Sequence, residues 1–185
     1  MSNGTLIPDS NRTLPPEEIR FEANAKELSL AIKDGVGLLH KEGYNSEAPM
    51  LIEIGIQMMR LYPRIELIEG FIRNSHEFWI QIHDREERFF IENAYKVWKH
   101  IPVRNIDVFR SLFGQKRRDG SYVVPLELRE QIWKIFHAMV KISIKYVHRE
   151  RKPIKKQDSS GYSYTVSFMD EIDIAHHSRM WGIEL

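Results

Sequence analysis

The sequence predicts a mainly α protein, a single helical bundle of five or six helices around a buried central helix at about residues 126–149. Three observations carry this expectation. Apolar residues recur at three- and four-residue spacing along most of the chain, the period of one helix face. The segment 126–149 carries two such stripes: Leu128, Ile132, Ile135, Met139, Ile142 and Tyr146 on one, and Trp133, Phe136, Val140 and Val147 on the other. A helix apolar over more than half its circumference belongs inside a bundle. One stretch alternates like a strand, Tyr162, Tyr164, Val166 and Phe168 between Ser163, Thr165 and Ser167. Its only obvious internal mate is Tyr122-Val123-Val124, so the sequence allows a small β element of 122–124 with 162–168.

The elements follow in order. Residues 1–12 lack periodicity and read as a flexible start. Thr13 suits an N-cap, with Pro15, Glu17 and Glu18 in the first turn. Phe21, Ala25, Leu28, Ile32, Val36 and Leu39 then mark an amphipathic helix to about His40, closed by Gly43. Ser46 suits the next cap. Residues 50–61 are dense in apolar side chains and are expected to be buried on most sides. Leu51 to Ile56 alternates, but length and the Met58-Met59 continuation favour a helix. From Arg64, a stripe of Ile65, Ile68, Ile72, Trp79 and Ile82 leads into one of Phe90, Ala94, Val97 and Ile101. This is either two helices meeting near His83-Asp84 or one long kinked helix, with Asp84 and Glu87 at capping-box spacing. Ile106 to Phe113 is a short helix, and Gly114–Gly120 a polar turn. Pro153 ends the central helix, and 153–161 read as a linker. The expected organisation is therefore a flexible 1–12, a bundle at 13–152, and a linker and C-terminal arm at 153–185.

Composition narrows the function classes. The chain has 185 residues, 42% hydrophobic and 29% charged, which suits a globular protein rather than a disordered or fibrous one. No cysteine is present, so disulfides, thiolate metal sites and cysteine nucleophiles are excluded. No apolar run reaches membrane-spanning length and no signal-peptide core is present, so an intracellular, soluble protein is expected. There is no phosphate-binding Gly-rich loop, nucleophile elbow or His-Glu-x-x-His pattern. No catalytic residue, cofactor, metal or small-molecule substrate is inferred. In the tail, Asp173 with His176 and His177 would share a helical face, yet the spacing matches no established metal motif.

Charge is segregated. Residues 1–92 hold 10 Lys/Arg against 16 Asp/Glu, residues 93–156 hold 16 against 5, and residues 157–185 hold 1 against 5. A basic block between acidic flanks can attract an acidic partner or be neutralised by its own chain. Two basic clusters stand out: Lys116, Arg117 and Arg118 before the central helix, and Lys141, Lys145, Arg149, Arg151, Lys152, Lys155 and Lys156 at and beyond its end. They lie about 36 Å apart at 1.5 Å per residue. The aromatic set (Phe71, Phe78, Trp79, Phe89, Phe90, Tyr95, Trp98, Phe109 and Phe113) falls on helical stripes and reads as core.

The function expected from these features is a non-enzymatic interaction or assembly protein, a subunit of a larger complex. It would dock on a protein partner or on itself through Tyr162, Tyr164, Val166, Phe168 and Trp181, because an unmated strand must find an edge. The alternative is a nucleic-acid-binding protein using Lys116, Arg117, Arg118, Lys145, Arg149, Arg151 and Lys152 to neutralise phosphates.

Overall fold

The computed structural model describes residues 16–44, 48–97, 103–150 and 168–185. Among these the protein is a bundle of helices: α1 (Pro16–Lys41), α2 (Ala48–Met59), α3 (Arg64–Ser75), α4 (Trp79–His83), α5 (Glu87–Glu92), α6 (Ala94–Val97), α7 (Val103–Gly114), α8 (Leu126–Glu150) and α9 (Ile174–Trp181). The expected central helix is α8. Ile132, Trp133, Ile135, Met139, Val140, Ile142, Ile144, Tyr146 and Val147 are all buried along it, so both sequence stripes face protein.

Helix α1 lies antiparallel to α8. Arg149 at the end of α8 reaches Glu17 and Glu18 at the start of α1, while Gly35 near the end of α1 meets Leu128 near the start of α8. The acidic pair in α1's first turn also suits the positive end of the helix dipole. At its other end Gly43 takes φ +82°, and the Tyr44 N–H donates to the Leu39 carbonyl at 2.9 Å. Close approach decides the identity of Gly35. A Cβ there would stand 2.6 Å from Leu112 Cδ2, with Leu128 Cδ2 and Val124 Cγ1 each at 3.7 Å.

Residues 64–97 are neither two helices nor one kinked helix. They form short pieces, with a 3-10 turn at His76–Phe78 between α3 and α4. Trp79 causes the first break: its indole is fully buried and its Nε1–H donates to Ser75 Oγ at 3.0 Å, so the chain bends to seat the ring. Arg85 causes the second. Among the described residues it is the only non-glycine in the left-handed region, at φ 53°, and its guanidinium pairs with Glu130 of α8. The Asp84/Glu87 capping box does not form. Asp84 ends α4 and accepts from His83 Nδ1–H at 2.7 Å, and Glu87 turns inward to α8.

The turn before α8 supplies the pairing partner the sequence sought elsewhere. Tyr122 bridges Lys116 antiparallel, and the Val123 N–H donates to the Gln115 carbonyl at 3.0 Å. Val123 and Val124 are buried, so this short return closes on itself beneath α1. Residues 162–167 lie outside the described residues. Phe168 is the first residue of a 3-10 turn, Phe168–Glu171, rather than the end of a strand.

The second correction concerns α2. The most apolar of the longer helices is the most peripheral: none of its described side chains is buried. It touches α1 and the edge of α7, with Ile52 against the core and Ser29 Oγ donating to Met59 Sδ at 3.9 Å.

The packing at Gly35 gives an internally controlled prediction. Gly35→Ala lowers stability by about 1–3 kcal/mol, the usual cost of overpacking. Gly37→Ala, with nothing within 4 Å of the added Cβ, gains up to about 1 kcal/mol of helix propensity. Urea midpoints of the two variants should move in opposite directions; a shared direction contradicts the close approach of α1.

Candidate functional site

The C-terminal segment, the expected partner-gripping arm, is built into the bundle where it is described. Asp173 caps α9 by accepting from the His176 N–H at 2.9 Å, and Gly182 ends it at φ 60°. Met169, Ile172, Ile174 and Trp181 join the buried core. Trp181 is 4% exposed and stands edge-on to the rings of His83 and His137, at 5.0 and 5.1 Å between centroids. Those two imidazoles stack on each other at 6.4 Å. One turn earlier on α9, His177 sits edge-on to Trp79 at 5.1 Å. Trp181 is therefore a core residue held within the chain, not a surface anchor, because its apolar ring finds a pocket between α4 and α8. Tyr162, Tyr164 and Val166 lie outside the described residues.

Two of these imidazoles, His137 and His177, have their pKa values lowered. Burial pushes the His137 pKa down, opposed by its Nε2–H donating to the Ile82 carbonyl at 2.7 Å and assisted by Arg85, His83 and Lys141. Burial lowers His177 too; His176 and His76 add to the effect and Asp173 opposes it. Asp173 does not form a metal site with these rings. Its carboxylate is used as the α9 cap, and among the described residues no group of three His, Asp or Glu is placed to hold an ion.

The basic clusters do not converge. Arg117 forks onto Glu42, with Nε at 2.9 Å, and donates from Nη1 to the Tyr122 carbonyl at 2.6 Å. Arg149 is shared among Glu17, Glu18 and Glu150. Lys116 lies over the Tyr122 ring at 4.9 Å. Arg118 and Lys145 are exposed, on opposite ends of α8, and Arg151 and Lys152 lie outside the described residues.

Among the described residues, a cluster of exposed apolar side chains lies on the outer face of α2 and the turn after it. Met50, Ile54 and Leu61 are 59%, 52% and 78% exposed, and Tyr62 and Ile65 beside them 50% and 48%. Met50 and Ile54 stand one turn apart on one side of α2, and Leu61 follows in the turn after the helix. Ile52 and Met59 point the other way, into the bundle. Along one edge of the stripe runs a polar ladder. Lys33 Nζ donates to Glu53 Oε2 at 2.8 Å, Gln57 Nε2 to Glu53 Oε1 at 3.4 Å, and Arg60 Nη1 to Gln57 Oε1 at 3.4 Å. The lysine holds the Glu53 carboxyl below the usual carboxylate range, so it stays charged. An apolar stripe rimmed by ordered charges is the form of a docking surface. Sequence reading missed it by taking apolar density as burial. The available signal was that the segment is apolar on every side except the edge of Glu53, Gln57 and Arg60.

Comparison with protein-family models, curated proteins and solved structures finds no match. Among the described residues no helix is long and apolar enough to cross a membrane.

The clamp sets a pH dependence. The folded state lowers both imidazole pKa values, so it binds fewer protons than the unfolded chain. The stability this contributes is present above the ordinary imidazole pKa of about 6.5 and is lost as pH falls below it. The urea midpoint should therefore drop between about pH 7 and about pH 5. Trp181→Ala should cost about 3–5 kcal/mol at neutral pH, as a buried aromatic does. A midpoint that is level or rises on acidification, or a Trp181→Ala variant as stable as the parent, contradicts the docked clamp.

Proposed function

We propose that the protein is a non-enzymatic assembly subunit that joins a second copy of itself through the outer face of α2. One observation carries this reading: the most apolar longer helix of the fold turns Met50 and Ile54 to solvent, and Leu61 in the turn that follows is exposed beside them. The occupant follows from the charges at the edge. Glu53 on α2 and Arg60 just past its end lie along one edge, joined through Gln57. When two such helices lie antiparallel about a two-fold axis, the same edges meet, and Glu53 of each copy faces Arg60 of the other. An acid and a base at this spacing make the surface complementary to itself, as an isologous contact requires. A membrane surface is a poorer occupant. Glu53, Arg60, Arg64 and Glu66 balance, whereas helices that lie on anionic lipid carry a lysine- and arginine-rich polar face. Nucleic acid draws less support, since Arg117 and Arg149 are spent on carboxylates of the same chain.

Sedimentation equilibrium tests the proposal. The parent protein should show a two-copy mass, and the Ile54→Ser/Leu61→Ser variant a one-copy mass with an unchanged circular dichroism spectrum, since both side chains are exposed. Glu53→Arg alone and Arg60→Glu alone should each weaken pairing by up to about tenfold, and the double swap should restore it. A parent that stays a single copy at millimolar concentration, or a double swap weaker than either single, overturns the reading.

A further inference from the structure

A second surface lies on the opposite flank of α1. Between the first half of α1, the second half of α8 and the end of the chain runs an open groove of about 630 Å³. Its third wall is fixed in place. Gly182 reverses the chain in the left-handed conformation, and the Ile183 N–H returns to the Ser178 carbonyl at 2.8 Å, which packs Ile183 against the core.

The groove is basic in an unusual way for this protein. Most of the described arginines have a carboxylate partner, among them Arg64, Arg85, Arg88, Arg117, Arg129 and Arg149. Arg20, Lys141 and Lys145 line the groove, are exposed, and form no ion pair among the described residues. Lys141 and Lys145 stand one turn apart on α8, about 6 Å between Cβ atoms. Arg20 faces them from α1. Between the two walls the floor is apolar, formed by Ala138, Ile142 and Ile183. The Asn24 amide donates one N–H to the Arg20 carbonyl at 2.8 Å, and the lysines and Arg20 supply the groove's positive charge.

We propose that this groove binds a short acidic peptide segment of a partner protein, with one carboxylate between Lys141 and Lys145, a second on Arg20, and an apolar side chain between them on the floor. The volume is of ligand size, far above a single oxyanion. The carboxylates in the lining favour a peptide over a polynucleotide. Glu17 and Glu184 line the same groove, and a strand with a phosphate at every nucleotide would meet them, whereas spaced carboxylates pass between. The site does not rest on the pairing of α2, since it uses α1, α8 and the chain end.

The probe is a heptapeptide with Glu-Leu-Glu at its centre, titrated into the full-length isotope-labelled protein at low salt and followed by amide chemical shifts. Shifts should concentrate at Arg20, Asn24, Lys141, Lys145, Gly182 and Ile183. The Gln-Leu-Gln version should bind at least about tenfold more weakly, and so should the Arg20→Ser/Lys141→Ser/Lys145→Ser variant, whose exposed substitutions leave the amide spectrum folded. No shifts at millimolar peptide, shifts spread over the basic surface at large, or equal binding by the triple variant overturns the site. Tighter binding of an eight-nucleotide oligothymidylate to the same residues overturns it in favour of nucleic acid.

Discussion

The arrangement of the chain follows from one constraint: α8 is too apolar to leave either stripe in water. Twenty-five residues with two apolar faces need cover on two sides, and a helix offers cover along a strip only about 10 Å wide. Helix α1, of similar length, supplies one strip in an antiparallel pair. No other described helix is long enough to supply the second, so it is assembled from pieces: α4 and α5, the buried Val123-Val124 return, and the C-terminal α9. The broken course of residues 64–97 is the consequence. Each short piece delivers one or two large side chains (Trp79, Ile82, Phe90) onto α8 and then bends away. Trp133 lies at the centre of this patchwork, with Phe90 and Phe113 each 5.5 Å from its ring.

Charge completes what the apolar cover leaves open. Among the described residues, three arginines of the basic block 93–156 pair in cis with carboxylates of the first half of the chain. Arg117 pairs with Glu42, Arg149 with Glu17, and the 7%-exposed Arg129 with Glu87 at 2.9 Å. Glu87 also accepts from Trp133 Nε1–H at 3.0 Å, so one carboxylate satisfies two buried donors of α8. The more exposed of these pairs, at Arg117 and Arg149, contribute little stability each, but pairs that join elements more than forty residues apart in sequence fix which helix lies beside which. Arg20, Lys141 and Lys145 form no such pair among the described residues and line the groove between α1 and α8.

The sequence was legible where periodicity and burial coincide, at α1 and α8. There a 3.6-residue stripe has a single consistent reading, and the ends are marked by Gly43 and Pro125. It was misleading where local pattern and tertiary demand part. The stripe from Ile65 to Ile82 is continuous on paper, yet Trp79 needs a pocket that a straight helix does not reach, and Arg85 adopts a left-handed turn no pattern announces. The apolar run of α2 looked like core because density was taken for burial; the fold already fills its interior with larger side chains and leaves this helix outside. Trp181 read as sticky material at a chain end. Its destination, against the imidazoles of His83 and His137, both more than forty residues away in sequence, is a contact that only the folded chain creates. The exposed face of α2 was half visible, in the polar edge of Glu53, Gln57 and Arg60 beside it.

The central claim is that α9 belongs to the core while α2 stands outside it, ready for a second copy. Amide hydrogen exchange tests both halves in one experiment. The account predicts that α9 amides from Arg179 to Trp181 exchange as slowly as those of α8 at every protein concentration, and that α2 amides exchange faster but slow down as concentration rises. Rapid exchange in α9, or α2 protection that ignores concentration, would contradict it.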